Sequence, residues 1–452
     1  MGEVEVPGDA YYGASTQRAV DNFPISGLRF GRRFIWAIGL LKGSAATVAS
    51  QLGHLDAERS AAIRKAADEV MEGALDQHFV LDIFQTGSGT STNTNANEVI
   101  ATRATELLTS GADPIHPNDQ VNFGQSSNDV IPAAIHISSV AALRDHLIPA
   151  LDRLSVSLNA KAKEFDDVVK SGRTHLMDAT PVTLGQEFGG WATQVSKGSE
   201  RLATVLPDLE ELPLGGTAVG TGINAPTGFA SAVIRLMADR TGFAFREADD
   251  HFEAQGAKDA TVMASGAVKT VAVSMFKIAN DIRFLGSGPT SGLGEIRIPE
   301  LQPGSSIMPG KVNPVMSEMV MQVAAQVIGN DATITWGGAA GNFELNLMMP
   351  VIAHNLLESI EILANAAEAF RSKCVEGIEA DRERALALLE RNAVIVTALN
   401  PHIGYDNGAK IAKESLATGR SIRELVLEAG LMSESELDKA LDLKKLTEGG
   451  IV

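Results

Sequence analysis

Apolar residues recur through the middle of the chain at the spacing of long α-helices. The clearest series consists of Val268, Val271, Met275, Ile278, Ile282 and Leu285. Its alternating steps of three and four residues place all of these side chains on one face of a single helix. A helix with such a face has to pack against other helices, so the series predicts a helical bundle.

Four comparable series flank this one. Those that begin at Val140 and Leu356 are regular, whereas those that begin at Leu184 and Met319 are weaker. Together they predict five long helices between about residues 138 and 371. Apolar faces of this length are buried more easily against further copies of the chain than under loops, which predicts a homo-oligomer.

The pattern changes on both sides of the predicted bundle. Residues 1–125 mix short helical patterns with turn-rich stretches, and beyond residue 378 the helical patterns shorten and glycines separate them. We therefore expect an all-α protein of three domains. These are an N-terminal, mainly helical domain at 1–125, the central five-helix bundle at 126–378, and a small helical domain at 379–452.

The charge of the chain narrows the classes of partner. The chain has 452 residues, of which 44% are hydrophobic, and its formal net charge is −18. It has no surplus of basic side chains to replace the counterions of a nucleic acid or to bind an anionic membrane. We therefore expect no nucleic-acid partner, whereas a small anionic substrate held by local donors is compatible with this charge.

The cysteine count and the apolar runs bear on the compartment. Cys374 is the single cysteine, so no internal disulfide can form and a reducing compartment is favoured. No apolar run approaches the roughly 18 residues of a membrane span, and the first residues lack the pattern of a signal peptide. The prediction is a cytoplasmic protein without a membrane partner.

A glycine- and proline-rich segment interrupts the bundle between residues 286 and 314. It holds six glycines and five prolines, which are too many for a helix or a central strand. Loops longer than about 12–15 residues are uncommon unless they are functional or disordered. The segment is therefore a candidate functional loop.

The last part of this segment, residues 304–314, reads GSSIMPGKVNP. Helix capping accounts for Asn313 as N-cap, for Pro314 at the first helical position and for Glu318 in the early turns. It does not account for Lys311, because a cation is disfavoured at a helix N-terminus. A phosphate-binding loop does not fit the glycine spacing either. On spacing alone, an anion-binding catalytic loop and a structural loop remain equally open.

Three other polar clusters lie beside predicted helix ends. Residues 171–181 read SGRTHLMDATP, and we expect Thr180 and Pro181 to begin the second bundle helix, with His175 just off its end. A lone histidine is more often structural than catalytic. Nine scattered histidines and one cysteine give little support for a zinc site, so no metal is expected.

The other two clusters are rich in hydroxyl and amide side chains. Residues 86–95 read TGSGTSTNTN and residues 124–129 read GQSSND. Each would ordinarily be a solvated turn followed by an N-cap. Neutral donors beside helix ends also suit the binding of a carboxylate without a metal.

GSSIMPGKVNP resembles the signature loop of the fumarase/aspartase superfamily, and the likeness extends over essentially the whole chain. Further segments resemble class II fumarases in the same order: TGSGTSTNTNANE, HPNDQVNFGQSSND, GRTHLMDATPVTLGQE, LGGTAVGTGIN, GNFELNLMMP and NPHIGYDNGAKIAK. Aspartases usually carry other residues at the positions of His175, Ser127 and Gly310, so these three residues favour fumarase. The chain departs from the family at Ser15, Thr92, Thr94 and Met177, and none of these is a residue that the resemblance assigns to catalysis.

The resemblance implies reversible hydration of fumarate to (S)-malate by anti addition of water through an aci-carboxylate intermediate, without metal or cofactor. It implies that Ser305 removes the C3 proton and that Lys311 and Asn313 contact the carboxylate that gains charge. It also implies that His175 and Glu318 act on the water. The remaining implied positions are Ser88, Thr90, Ser126, Ser127, Asn128 and Thr174 for substrate binding, and His116, Pro117, Asn118 and Asp119 for a second carboxylate site.

The resemblance further implies a homotetramer with a helical core, whose active sites each combine residues from three chains. Two other functions stay open beside fumarate hydration. One is an aspartate ammonia-lyase of the same superfamily, which shares the fold and the carbanion chemistry. The other is a non-catalytic structural protein on the same fold, which the presence of every implied catalytic residue disfavours.

Overall fold

The computed structural model describes residues 2–109 and 111–451, which are mainly helical. In chain order the α-helices of these residues are α1 (Ala14–Asn22), α2 (Arg32–Gln51), α3 (Ala57–Glu72), α4 (Thr90–Glu106), α5 (Ser127–Ala142), α6 (Ile148–Glu164), α7 (Leu184–Thr204), α8 (Leu206–Leu209), α9 (Phe229–Thr241), α10 (His251–Gly256), α11 (Asp259–Leu285), α12 (Val315–Ala339), α13 (Met349–Lys373), α14 (Arg382–Glu390), α15 (Asn400–Ile403), α16 (Tyr405–Thr418), α17 (Ile422–Glu428) and α18 (Glu434–Ala440). The short strands are β1 (Val169–Thr174), β2 (Met177–Thr183), β3 (Glu211–Leu212), β4 (Arg246–Glu247), β5 (Ile296–Arg297) and β6 (Glu379–Ala380). They pair into three two-stranded sheets, β1 with β2, β3 with β4, and β5 with β6.

The prediction of an all-α protein with five long helices is confirmed. The first is α5, which continues through a π-helical turn at Leu143–Leu147 into α6, and the others are α7, α11, α12 and α13. Every member of the series that begins at Val268 is buried in α11. The three-domain boundaries stay a prediction.

Helix α11 corrects one expectation about apolar runs. By length and composition it is apolar enough to cross a membrane, although the sequence was expected to hold no such run. Half of its most apolar window is buried within the chain, and its Lys269 forms an ion pair with Asp331 at 2.6 Å. A core helix of a bundle has these same properties.

The chain divides into two compact units. The first consists of Met1–Pro149, Ser199–Ala272 and Val323–Asn365, and in it α2 packs against α3, α5 and α9. Gly39 permits the close approach of α2 and α3, because a Cβ there would lie 2.9 Å from Met71 Cγ and 3.0 Å from the Ala67 carbonyl. The helices α2, α3 and α4 have 20, 16 and 17 residues, so they are longer than the short patterns predicted for this part of the chain.

The second unit consists of Ala150–Gly198, Val273–Gln322 and Ala366–Val452. Its C-terminal part has a core of its own, formed by buried side chains between Leu389 and Ala440. The hairpin of β1 and β2 also lies in this unit.

The start of α7 differs from the prediction. Thr180 and Pro181 lie inside β2 rather than at the beginning of a helix. The helix begins at Leu184, where Thr183 Oγ1 accepts the Gln186 N–H and the Gln186 side chain accepts the Thr183 N–H, both at 3.0 Å. This reciprocal cap lies three residues beyond the proposed one, because the preceding residues pair with β1.

Candidate active site

The GSSIMPGKVNP segment is a loop that is fastened at both ends. The Gly304 N–H donates to the Lys311 carbonyl at 2.9 Å, and the Asn313 side-chain amide donates to the Gly304 carbonyl at 2.7 Å. Gly304 has no room for a side chain, because a Cβ would lie 2.1 Å from the Lys311 carbonyl oxygen. Asn313 was expected to cap α12; instead its amide closes this loop, since the helix begins only at Val315.

Ser305 is half-buried inside the loop. Its Oγ accepts hydrogen bonds from the backbone N–H groups of Ile307 at 3.2 Å and Met308 at 3.0 Å. Donors that point at an oxygen stabilise its deprotonated form relative to the hydroxyl. These two donors therefore favour the deprotonated form of Ser305.

Lys311 and Glu318 lie on either side of the first residue of α12, and both are exposed. In residues 2–109 and 111–451, neither side chain forms a hydrogen bond or an ion pair. One cation and one carboxylate therefore follow Ser305 within 13 residues of sequence, without a partner among the described residues. Both are free to act on a bound molecule.

His175 lies at the tip of the hairpin that joins β1 to β2, which corrects the prediction that it lies just off a helix end. Thr174 pairs with Met177 across the turn, and the two turn residues, His175 and Leu176, have φ angles of 58° and 59°. Two consecutive left-handed residues form the tight turn that suits the twist of a hairpin. Non-glycine residues rarely adopt this conformation, and such residues cluster at functional sites.

Strand β1 of this hairpin forms ion pairs that are buried or half-buried. Arg173 binds both carboxylate oxygens of Glu295 at 2.9 Å, and Lys170 binds Glu187 at 2.9 Å and Glu295 at 3.3 Å. Glu295 and Lys170 are buried, and burial raises the pKa of the Glu187 carboxyl although Lys170 opposes this. Because Glu295 belongs to the segment that leads to the loop, these ions connect that segment to the histidine hairpin.

The first hydroxyl cluster lies in the other unit, at the start of α4. Ser88 is buried and its Oγ lies 2.8 Å from Thr90 Oγ1. The glycines on either side of Ser88 leave no space: a Cβ on Gly87 would lie 1.9 Å from the Leu347 carbonyl oxygen, and Gly89 adopts a left-handed conformation against Ile131. The two hydroxyls are therefore held by a rigid turn.

The second hydroxyl cluster starts α5. Ser126 and Asp129 form the reciprocal cap of this helix. An N-cap was predicted for this cluster. The Asn128 side chain donates to the Ala218 carbonyl at 2.8 Å, and Asp129 Oδ2 accepts the N–H groups of Gly215 and Thr217. Burial raises the pKa of the Asp129 carboxyl, and the backbone donors oppose this. The segment LGGTAVGTGIN thus holds the start of α5 in place.

The two hydroxyl clusters are brought together by Asn93 of α4. Its Nδ2 donates to Ser127 Oγ at 3.1 Å. Ser88 and Thr90 therefore lie at a helix start that is linked directly to the helix start carrying Ser126, Ser127 and Asn128. Such an array of hydroxyl and amide donors at helix N-termini is suited to a carboxylate.

The predicted second carboxylate site lies at a π-helical turn, Pro117–Val121, where His116, Asn118 and Asp119 are exposed. His116 Nδ1 accepts the Asp119 N–H at 3.1 Å and lies 3.2 Å from the Asp119 carboxylate. Its role stays a prediction. In the part of the chain that the structure describes, no group of three or more histidine, cysteine, aspartate or glutamate residues is arranged to hold a metal ion.

Sequence reasoning missed several buried charges beside these clusters. Lys42 lies in α2 and its Nζ donates to Asn122 Oδ1 at 2.8 Å and Gln125 Oε1 at 2.9 Å. The available signal was its position in the run FIWAIGLLKGSAATVA, where a single lysine interrupts apolar and small residues. Glu295 and Lys170 carried no comparable signal, because charged residues in turn-rich segments are ordinarily exposed.

Two protein-family models match the chain. The lyase model covers residues 2–329, and the fumarase C C-terminus model covers residues 395–448. A class II fumarate hydratase from Halobacterium salinarum is 55% identical over 100% of this chain and 97% of the relative. Another from Mycobacterium tuberculosis is 54% identical over 98% of this chain and 94% of the relative.

Solved structures resemble the chain over nearly its whole length. A recombinant class II fumarase from Schistosoma mansoni has a TM-score of 0.94 and 36% identity, covering 99% of this chain and 97% of that chain. A fumarate lyase:delta crystallin from Brucella melitensis, bound to cobalt, has a TM-score of 0.93 and 43% identity, covering 99% of this chain and 98% of that chain.

Proposed function

The chain belongs to the class II fumarate hydratase family of lyases, and on this premise we propose how its residues carry out the reaction. It is a hydro-lyase that adds water to fumarate and removes water from malate. Its substrate is therefore a small dicarboxylate. The proposed catalytic roles rest mainly on one observation, the loop around Ser305 whose two ends are joined by hydrogen bonds.

Dehydration of malate begins at C3, where Ser305 removes a proton. The pair of electrons left behind moves into the neighbouring carboxylate, which becomes an aci-carboxylate with extra negative charge on its oxygens. Lys311 and Asn313 donate to these oxygens and stabilise the charge as it develops. The N–H groups of Ile307 and Met308, which already point at Ser305 Oγ, stabilise the deprotonated serine.

The leaving hydroxyl departs from the opposite face of the substrate, which gives an anti elimination. His175 and Glu318 supply the proton that converts this hydroxyl into water, and they activate the same water in the hydration direction. Positioned acid–base groups of this kind contribute about 10²–10⁴-fold to the rate. Neither step requires a metal or an organic cofactor.

The substrate carboxylates are held by the neutral donors of the hydroxyl clusters. The residues proposed for this task are Ser88, Thr90, Ser126, Ser127, Asn128 and Thr174. The short contact between Ser88 and Thr90 and the link from Asn93 to Ser127 support the action of the two hydroxyl clusters as one array. His116 and its neighbours Pro117, Asn118 and Asp119 form a second carboxylate site.

The reaction is tested by adding malate to the purified protein in buffer that contains a chelator, and by following fumarate through its ultraviolet absorbance. Fumarate is expected to form. A parallel assay supplies aspartate and measures ammonia, and ammonia release without malate turnover would favour the ammonia-lyase alternative. Absence of both activities would leave the structural-protein alternative. We place the protein in the cytoplasm, in keeping with its single cysteine.

We further propose a homotetramer in which each active site combines residues from three chains. Apolar side chains support a larger assembly, because Ile328, Trp336 and Phe343 are 43%, 77% and 94% exposed in the single chain. His175, Lys311 and Glu318 are exposed as well. Further copies of the chain would cover the apolar residues and complete the site around the polar ones.

Subunit mixing is expected to restore activity to a pair of inactive variants. Tetramers of Ser305→Ala and His175→Asn are dissociated together and reassembled in equal amounts. If Ser305 and His175 reach each site from different chains, random assembly leaves about a quarter of the sites with both residues intact. Activity measured with malate should rise towards this fraction of the wild-type value.

The control for mixing is the same treatment applied to each variant alone, with subunit exchange verified by native mass spectrometry of isotope-labelled chains. If both residues came from one chain, every site in a mixed tetramer would keep a lesion. Exchanged tetramers without recovered activity would therefore contradict the shared site.

A further inference from the structure

Lys42 is a buried cation in the unit that carries the hydroxyl clusters. It is 0% exposed in the middle of α2, and a buried ammonium group is costly unless its protons are hydrogen-bonded. Its two acceptors are the side-chain oxygens of Asn122 and Gln125. The mechanism above assigns Lys42 no role.

Both amide groups are oriented so that their oxygens face Lys42. Gln125 Nε2 donates to the carbonyls of Val121 at 3.2 Å and Phe123 at 3.1 Å. Asn122 Nδ2 donates to the Gln125 carbonyl at 3.1 Å. Because the amide nitrogens donate to backbone carbonyls, only the two amide oxygens face Lys42. This site can therefore accept hydrogen bonds from a cation, and it offers no donor to a group that itself needs to accept one.

The same Asn122 oxygen orients two amides of α4. Asn93 Nδ2 donates to Asn122 Oδ1 at 3.1 Å, and Asn97 Nδ2 donates to it at 3.3 Å. The amide oxygens of Asn93 and Asn97 have no hydrogen-bond partner within residues 2–109 and 111–451. Leaving buried oxygens unpaired is unfavourable. The two amides therefore donate to the Asn122 oxygen although this leaves their own oxygens without a hydrogen bond.

This orientation decides which way the Ser127 hydroxyl points. Asn93 turns its nitrogen towards Ser127 and donates to Ser127 Oγ. A serine oxygen that accepts this bond keeps its own proton for another acceptor. Ser127 is therefore prepared to donate to a carboxylate.

We propose that Lys42 is a positioning residue for substrate binding, which acts through Asn122 and Asn93 to hold Ser127 as a hydrogen-bond donor. This inference rests on the proposed function, in which Ser127 binds a substrate carboxylate. Lys42 donates to Asn122, Asn93 also donates to Asn122, and Asn93 donates in turn to Ser127. Reversal of any one of these bonds would turn the Ser127 proton inwards.

The charge of Lys42 contributes in the same direction. Burial lowers the pKa of Lys42 to about 7, and the nearby buried Asp129 opposes this decrease. A substrate carboxylate that arrives at the start of α5 favours the protonated lysine, since opposite charges attract strongly where water is excluded. The protonated lysine can only donate, which preserves the direction of every bond up to Ser127.

The test compares Lys42→Met with a matched variant of another buried lysine, Lys258→Met. Lys258 is 2% exposed and its Nζ donates to the backbone carbonyls of Ala254, Gln255 and Ala257 instead of to side-chain amides. Lys42→Met is expected to raise the KM for fumarate and for malate about tenfold, the loss typical of a hydrogen bond to a charged group, with a much smaller change in kcat. Lys258→Met should lower the melting temperature and leave KM within about twofold of wild type.

A double-mutant cycle then asks whether Lys42 acts through Ser127. In a Ser127→Ala background, Lys42→Met should raise KM by less than about threefold, because the hydroxyl that it orients is gone. An undiminished effect in that background, or an unchanged KM in the single variant, would refute the proposal. If Lys42→Met does not fold, Asn93→Ala takes its place in the same cycle and must show the same KM increase and the same loss of effect.

The outcome separates this inference from the proposed function. A wild-type protein that turns over neither fumarate nor malate would overturn the function. An active wild type whose KM is left unchanged by Lys42→Met, or by Asn93→Ala where that variant takes its place, would overturn the positioning role alone.

Discussion

Replacing Ser305 by alanine is expected to lower kcat by about 10³-fold or more while KM changes little, because the variant loses the group that removes the C3 proton. The fold should be unaffected, since Ser305 lies in a loop and only its Oγ is removed. The bonds that fasten the loop, from Gly304 to Lys311 and from Asn313 to Gly304, do not involve the serine side chain. Initial rates with malate at saturation measure the effect.

The neighbouring Ser306 provides a matched control for this variant. It lies in the same loop and is exposed, and Ser306→Ala removes an identical hydroxyl. The control should keep a kcat within about twofold of wild type, as is usual for a surface substitution. A Ser305→Ala enzyme with nearly normal kcat would show that another group is the base.

Replacing Lys311 by methionine is expected to lower kcat by about 10²–10³-fold, the loss that follows removal of one donor to a developing oxyanion. Methionine keeps an unbranched side chain that is one atom shorter, and it removes the charge. The effect should fall on kcat rather than on KM, because the second negative charge exists only as the aci-carboxylate forms. Steady-state kinetics in both reaction directions provide the measurement.

Lys163 of α6 is the matched control for the charge, since it is also an exposed lysine. Lys163→Met should leave both kinetic constants close to wild type. A Lys311→Met variant with normal kcat and raised KM would contradict the proposal, because Lys311 would then bind the substrate and its transition state equally.

The helices could be predicted because their apolar spacing is a local property. In α11 the series from Val268 to Leu285 fixed both the element and its buried face. The hairpin around His175 could not be predicted in this way, because its turn uses two non-glycine residues in the left-handed region. A hairpin turn is recognised in a sequence by glycine, asparagine or aspartate at such positions. In addition, Thr180 and Pro181 match the pattern of a helix N-terminus although they lie in β2.

The site was predictable only in part, for a related reason. Ser305, Lys311 and Asn313 share a short loop, so a single sequence motif identifies them together. Lys42 acts on Ser127 from a different helix, and no spacing rule relates two such positions. Their connection depends on which atom of each amide faces the next, which only the folded arrangement determines.

The ion pairs that join the histidine hairpin to Glu187 and Glu295 also bear on salt tolerance. The charges of Lys170 and Arg173 cancel those of Glu187 and Glu295, and the pairs are separated by 2.9–3.3 Å, well inside the Debye length of about 8 Å at physiological ionic strength. Dissolved ions screen buried pairs far less than exposed ones. The hairpin should therefore keep its attachment to the segment around Glu295 from dilute buffer to molar salt, while exposed pairs such as Arg382 with Asp167 weaken.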